Sequence, residues 1–419
     1  MNLNNEKLFE LEKYWFLPLI LGVIVGLAIF AFVRVYELLK SVFLLIIAWN
    51  PLLIVVCPII ALLGGYFTLR LFTESKNCGC GTDVVVEKYH HRWGFISLKD
   101  TLGRSLAATL TIGFGGSAGL EGPSLLLGGG VSSFITRKLK LSQKDVKKLF
   151  LCGAAAGFSA IFKAPLTGIL FAIEIPYKRD IETEIFVPAS IASVTAYFVS
   201  ALTLGTESIF PAPIFLTPTL PTLLHATFLG IIAALVALAF METLEKTNSI
   251  SKRLSSLFSM YVLSICVGLF LGVIGLFYPE ALGLGYEFIH KIATTGLGQW
   301  SLATLILILI LKIVATSLTM SFGGSGGLFI PALYVGGTLG LIYAQLWNLT
   351  PAVLYVIVAM AAMLAATSKS LLTSIALVAE TLGPGFIILT VVSAAISYFI
   401  TGNKSFYKSQ LTRKSESKG

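Results

Sequence analysis

The chain has 419 residues, 56% of them hydrophobic and only 12% charged, with a formal net charge of +9. Soluble domains carry about 25% charged residues, so this composition excludes an ordinary soluble enzyme or scaffold, and a mean hydropathy of +0.88 points to a membrane. The positive charge is no sign of nucleic acid, because Lys and Arg gather in short stretches between apolar runs, as orientation in a bilayer requires.

In chain order, the opening MNLNNEKLFELEKYWF reads as an uncleaved cytoplasmic lead-in, since it mixes charges and has no small-residue cleavage site. Residues 14–38 form a first span, and 43–72 a second that is interrupted at Asn50–Pro51. A polar, irregular passage covers 73–92, and 98–114 is another membrane segment. The most basic stretch, RKLKLSQKDVKK at 137–148, reads as a cytoplasmic loop. Apolar segments follow at 150–176 and 185–204, and a proline-rich linker occupies 206–221. The second half carries apolar runs at 223–240, 261–277, 300–318, 353–366, 371–380 and 386–400, with a basic loop at 246–253. The five Cys make no disulfide framework, and Cys57, Cys152 and Cys266 read as packing residues. The expected fold is therefore an all-α polytopic membrane protein of two repeats, 14–205 and 222–402, with a basic cytoplasmic segment at 403–419.

The repeat is legible in two places. Residues 114–129 (FGGSAGLEGPSLLLGG) and 322–337 (FGGSGGLFIPALYVGG) agree at ten of sixteen positions. Residues 150–174 align with 356–380, placing Lys163 on Lys369, Thr167 on Thr373 and Glu174 on Glu380. A strongly basic stretch follows the first block and a neutral one follows the second, so the charge bias sets the halves in inverted orientation. Each block is a glycine-rich turn opening into a helix with proline in its first turn. Such a helix start offers unpaired N–H groups and the positive end of a dipole to a small anion.

The copies differ at one chemically loaded place: Glu121 in the first is Phe329 in the second. A carboxylate inside an apolar protein costs several kcal/mol and marks a functional site by default. At a helix start it can occupy the anion's own place, compete for the same donors and leave when protonated, which makes it a gate. Glu174 and Glu380 read as repeat-related structural carboxylates held by loop or backbone donors.

GLEGP (119–123), GGLFIP (326–331), GFSAIFKAPLTGILFAIE (157–174) and the terminal KSFYKSQL (404–411) resemble the CLC family of chloride channels and chloride/proton exchangers, of the prokaryotic type without CBS domains. The resemblance implies two inverted repeats of tilted and re-entrant helices and a homodimer with one anion pathway per subunit. It makes Glu121 the gating glutamate, with Gly122 beside it in the same motif. It makes the Leu328 and Phe329 N–H groups chloride donors and brings the Tyr407 hydroxyl to the anion. The family's serine-bearing turn corresponds best to Gly79–Cys80–Gly81–Thr82–Asp83, which puts Cys80, a weaker S–H donor, at the serine position. Asp83 stands where proline is usual. Exchangers usually carry a second glutamate after the one matching Glu174, and here that proton-pathway position is Ile175.

The expected function is thus transmembrane chloride transport gated by a glutamate, leaning to uncoupled, channel-like conduction. Chloride/proton antiport is the alternative, and an inverted-repeat transporter of another solute a more remote one. An enzyme would need a second catalytic group near Glu121, and the sequence supplies none; no cofactor is implied. Cys78, Cys80, His90 and His91 have a spacing that fits zinc poorly.

Overall fold

Sixteen α-helices run through residues 12–74, 79–206, 218–294 and 297–418, the residues described in the computed structural model. The first eight are α1 Leu17–Trp49, α2 Cys57–Phe72, α3 Gly81–His91, α4 Leu98–Gly113, α5 Glu121–Lys138, α6 Gln143–Phe162, α7 Pro165–Glu174 and α8 Phe186–Leu204. The second eight are α9 Leu220–Leu254, α10 Met260–Phe277, α11 Tyr286–Thr294, α12 Leu302–Ser321, α13 Phe329–Leu346, α14 Ala352–Ser368, α15 Leu371–Leu382 and α16 Ile387–Ile400. Helices eight apart in number occupy matching places. α5 packs on α6 as α13 does on α14, α6 on α8 as α14 on α16, and α1 on α8 as α9 on α16.

Among the described residues, seven helical segments are long and apolar enough to cross a membrane, and the chain is a multi-pass membrane protein. The outer faces of α1, α9 and α10 leave Leu27, Leu235 and Phe270 exposed, as lipid contact demands. At the centre stand α5, α6, α13 and α14, and every residue of α14 is buried. Small residues allow this density: Gly128 of α5 lies against the Gly153 carbonyl of α6, and Gly336 and Gly340 of α13 lie against α14 in the same way.

Local signals set several boundaries. α1 does not stop near residue 38 but runs to Trp49. It breaks where Asn50 turns extended and its side chain accepts from the Leu52 N–H (3.0 Å), with Pro51 opening the next turn. The polar passage 73–92 is not irregular throughout, since α3 occupies its second part. The basic stretch 246–253 is no loop either: it forms the last two turns of α9, with Lys246 paired to Glu242 at 2.8 Å one turn back. Nor is 137–148 mostly loop, because α5 reaches Lys138 and α6 starts at Gln143, capped by Ser142. Cys57 and Cys152 are buried, as packing residues would be, whereas Cys266 is exposed on α10. The lead-in 1–11, Cys78 and the body of the linker, 207–217, lie outside the described residues.

α6 and α14 end alike. Lys163 and Lys369 are their caps, both left-handed at φ 55° and 58°. Each lysine reaches the closing turn of the last helix of its own half. Lys163 Nζ donates to the Leu204 carbonyl (3.3 Å), and Lys369 Nζ donates to the Tyr398 carbonyl (2.8 Å) and Thr401 Oγ1 (2.7 Å). A cation at the negative end of a helix is the favoured placement.

Candidate functional site

The two glycine-rich blocks meet face to face. Gly119 N–H donates to the Gly327 carbonyl (2.9 Å), and Gly327 N–H donates to the Gly119 carbonyl (2.8 Å). On either side the bonds are exchanged again: Ser117 N–H donates to Thr319 Oγ1 (3.1 Å), and Ser325 N–H donates to Thr111 Oγ1 (3.1 Å). These residues are matched pairs of the repeat, so residue i of one half does to the other what its twin does in return. That is how a two-fold relation appears in a contact pattern. A short parallel pairing of β1 (Gly79–Cys80) with β2 (Ser325–Gly326) brings the turn before α3 to the same place.

Glu121, the first residue of α5, is 1% exposed. Its Oε1 accepts from the Phe329 N–H (2.7 Å) and more weakly from the Ile330 N–H (3.4 Å), at the first turn of α13. The carboxylate of one half therefore sits on the open helix start of the other, where dipole and free N–H groups favour negative charge. The donors to the carboxylate are thus the N–H groups of Phe329 and Ile330, and Phe329 is one of the two residues expected to donate to chloride. Gly119 and Gly327 flank it so closely that a Cβ at either would collide with the carboxylate oxygens. The Phe329 ring closes the apolar side, packed at 5.1, 5.2 and 5.4 Å from the rings of Phe158, Phe162 and Phe171.

Gly122 lies against Gly327 and Thr82, and Gly81 lies against the Gly122 backbone, so the turn carrying Cys80 is pressed onto the start of α5. The Tyr407 hydroxyl, fully buried, neighbours Cys80, Thr82 and Glu121. Three buried oxygens meet here: Glu121 Oε2 has no hydrogen-bond partner among the described residues, and Thr82 Oγ1 and Tyr407 Oη have none except each other. One such orphan costs about 1–3 kcal/mol. Three together, at a helix start, mark a pocket built to hold something polar and small. Thr82 was not foreseen as part of it, although a hydroxyl within a turn flanked by Gly79 and Gly81 is itself a signal. Asp83 Oδ1 accepts from the Ser409 N–H (2.9 Å), so it fastens the terminal segment that carries Tyr407. Ile175, which follows α7, is wholly buried. Cys80 stands before the start of α3 and His90 and His91 at its end, so they converge on no common point.

A cavity of about 760 Å³ is lined in part by Leu120, the residue before Glu121, and by Tyr286. Its wall carries Arg34, Lys40, Lys163 and Lys291 besides Glu37, Glu280 and Glu287, and Lys40 pairs with Glu287 at 2.7 Å.

Glu174 and Glu380 are reciprocal helix caps. Glu174 accepts from the N–H groups of Leu372 and Thr373 (both 2.8 Å) and from Thr373 Oγ1 (2.6 Å). Glu380 accepts from the N–H groups of Leu166 and Thr167 (both 2.7 Å) and from Thr167 Oγ1 (2.6 Å). Each lies in the last turn of its own helix and caps the start of its twin, α15 or α7.

Sequence reasoning passed over Lys312, a lysine inside the apolar run of α12 and 0% exposed. Its Nζ donates to the carbonyls of Gly283 (2.9 Å) and Ala281 (3.4 Å) and lies 4.7 Å from the Tyr334 ring centre. The matching residue of the first half, Arg104, is also buried and pairs with Asp100 at 3.2 Å. A charge inside so apolar a run was the available signal. Lys312→Met is expected to leave both carbonyls unpaired and cost on the order of 3 kcal/mol. The check is a lower unfolding temperature in detergent, and an unchanged one would remove Lys312 from the structural framework.

By fold and site, this is a polytopic membrane protein whose paired helix starts suit a small anion. The chain belongs to the voltage gated chloride channel family, whose profile matches residues 60–402. It is 29% identical over 364 residues to an uncharacterized protein of Methanocaldococcus jannaschii, covering 86% of this chain and 87% of that one. It is 27% identical over 400 residues to the H(+)/Cl(-) exchange transporter ClcA of Citrobacter koseri, covering 91% of this chain and 82% of that one. The crystal structure of a CLC-type fluoride/proton antiporter superposes with a TM-score of 0.83 at 26% identity, covering 96% of this chain and 98% of that one.

Proposed function

We propose that the chain carries chloride across the cell membrane through the site at Glu121, with Glu121 as the gate. The observation that carries this reading is the Glu121 carboxylate resting on the Phe329 N–H at 2.7 Å, in the position a dissolved anion would take. Charged donors and acceptors make hydrogen bonds roughly twice as strong as neutral ones, so the ionised gate holds its donors and the protonated gate yields them. Cys80, Gly122, Leu328, Phe329 and Tyr407 form the chloride-binding surface, and Thr82 joins them. The repeats, 14–205 and 222–402, lie inverted in the bilayer with linker 206–221 between them. The basic stretches and both termini, including 403–419, face the cytoplasm. The working unit is a homodimer with one pathway in each subunit.

Conduction is uncoupled from protons in this reading. It rests on Ile175, a buried aliphatic residue at the position where exchangers usually carry their second glutamate. An isoleucine has no proton to relay. Proton-coupled exchange is the second reading, favoured by the names of the relatives, ClcA as a chloride exchanger and the structural neighbour as a fluoride/proton antiporter. The two part in reconstituted liposomes carrying a chloride gradient. Electrogenic chloride efflux with no proton movement is expected, whereas uphill proton movement driven by chloride would replace conduction by exchange.

A further inference from the structure

We propose that Gln410 is the positioning residue that aims the Tyr407 hydroxyl into the anion site, by tying the terminal segment to one helix end from each half. This rests on the reading of Tyr407 as a chloride donor.

Gln410 lies in the chain's closing segment and is 3% exposed. Its Nε2 donates to the Ile175 carbonyl (3.0 Å), just past the end of α7, and to the Ser368 carbonyl (3.0 Å), the last residue of α14. Carbonyls at a helix end have no partner within the helix, so one side-chain amide serves two of them, the Ser368 carbonyl being otherwise met only by Ser370 Oγ at 3.4 Å. Its Oε1 accepts from Ser405 Oγ (2.5 Å), and Ser405 Oγ in turn accepts from the Tyr407 N–H (3.1 Å). The Gln410 N–H donates to the Tyr407 carbonyl (3.4 Å).

Tyr407 is therefore held at both its N–H and its carbonyl by a ring of bonds that closes through Gln410. Its own hydroxyl is fully buried beside Thr82 and Glu121. Other bonds attach the same segment without orienting the tyrosine: Phe406 N–H to the Thr367 carbonyl (2.9 Å) and Ser409 N–H to Asp83 (2.9 Å). Removing the glutamine amide thus loosens the aim of Tyr407 while the segment stays docked. Because Gln410 grips Ile175 on one side and Ser368 on the other, a shift of either half relative to the other moves the hydroxyl. A residue of the tail thereby makes anion binding sensitive to the relation between the repeats.

The experiment is a double-mutant cycle on chloride affinity, measured by calorimetry with sodium chloride on the purified full chain in detergent. Tyr407→Phe is expected to weaken binding by about three- to tenfold, the loss of one hydrogen bond. Gln410→Leu should weaken it by a similar factor, and the double variant should be no weaker than Tyr407→Phe alone. Ser405→Ala, a milder cut in the same ring, should give part of the loss, and none in the Tyr407→Phe background. It carries the test if Gln410→Leu does not fold. Losses that multiply, or unchanged affinity in both the Gln410 and Ser405 variants while Tyr407→Phe is weakened, would overturn the inference and leave the chloride site standing. Unchanged affinity in Tyr407→Phe itself would overturn the assignment of Tyr407, and this inference with it.

Discussion

Glu121→Gln should carry chloride at nearly the same rate from about pH 7 to about pH 5, while the unaltered protein changes by up to about tenfold per pH unit over the range in which its gate titrates. The argument is local. Glutamine has the shape of glutamic acid, so it fits the cradle of Gly119 and Gly327 and can still accept from the Phe329 N–H. It carries no charge, so its hold on that donor is the weaker, neutral kind, and chloride displaces it at any pH. Flux at neutral pH should therefore rise to the level that the unaltered protein reaches in acid. The sign follows from the proposed gating role: acid would protonate Glu121, the protonated side chain would yield its donors, and transport would increase. Flux from liposomes at a series of pH values is the measurement. A pH dependence that survives in the variant would show that another group gates the pathway.

The second large effect concerns stability. Glu174→Ala should lower the unfolding temperature in detergent more than Glu380→Ala, although the two make matching bonds. Removing Glu174 strips the start of α15 of acceptors for the Leu372 and Thr373 N–H groups and the Thr373 hydroxyl, and this cap is buried. The loss of a charged acceptor to several donors is worth roughly 3–5 kcal/mol in such a setting. Glu380 is exposed and one of its donors, Leu166, is exposed as well, so solvent or lipid headgroups can replace part of the cap. Matched melting curves on the two variants decide it. Equal losses would mean that burial does not separate the twins.

Much of the plan was legible because it repeats. The two glycine-opened blocks announced two helix starts, and α5 and α13 begin inside them, each with its proline at the third helical position. The odd carboxylate between them was visible as Glu121. The break at Asn50–Pro51 was readable too, since proline and a turn-forming asparagine act on their immediate neighbours. Charge misled where it was taken for a boundary. Residues 246–253 look like a loop in a membrane protein, yet extending an existing helix adds one hydrogen bond per residue without a new nucleus, and α9 continues through them. The same holds for α3, whose polar residues hid its helical period.

The sequence alone determined the class of molecule, the two-fold plan and the carboxylate at its centre, because apolar run length, glycine and proline express themselves over a few residues. Only the tertiary structure decided which groups face one another: Glu121 with Phe329, Glu174 with Thr373, Asp83 with Ser409, Gln410 with both Ile175 and Ser368. Most of these partners are some 200 residues or more apart, and no local period records them. Their distances are set when the glycine-lined helices of the two halves close to contact, and that closure also turns a glycine-rich motif into a pocket.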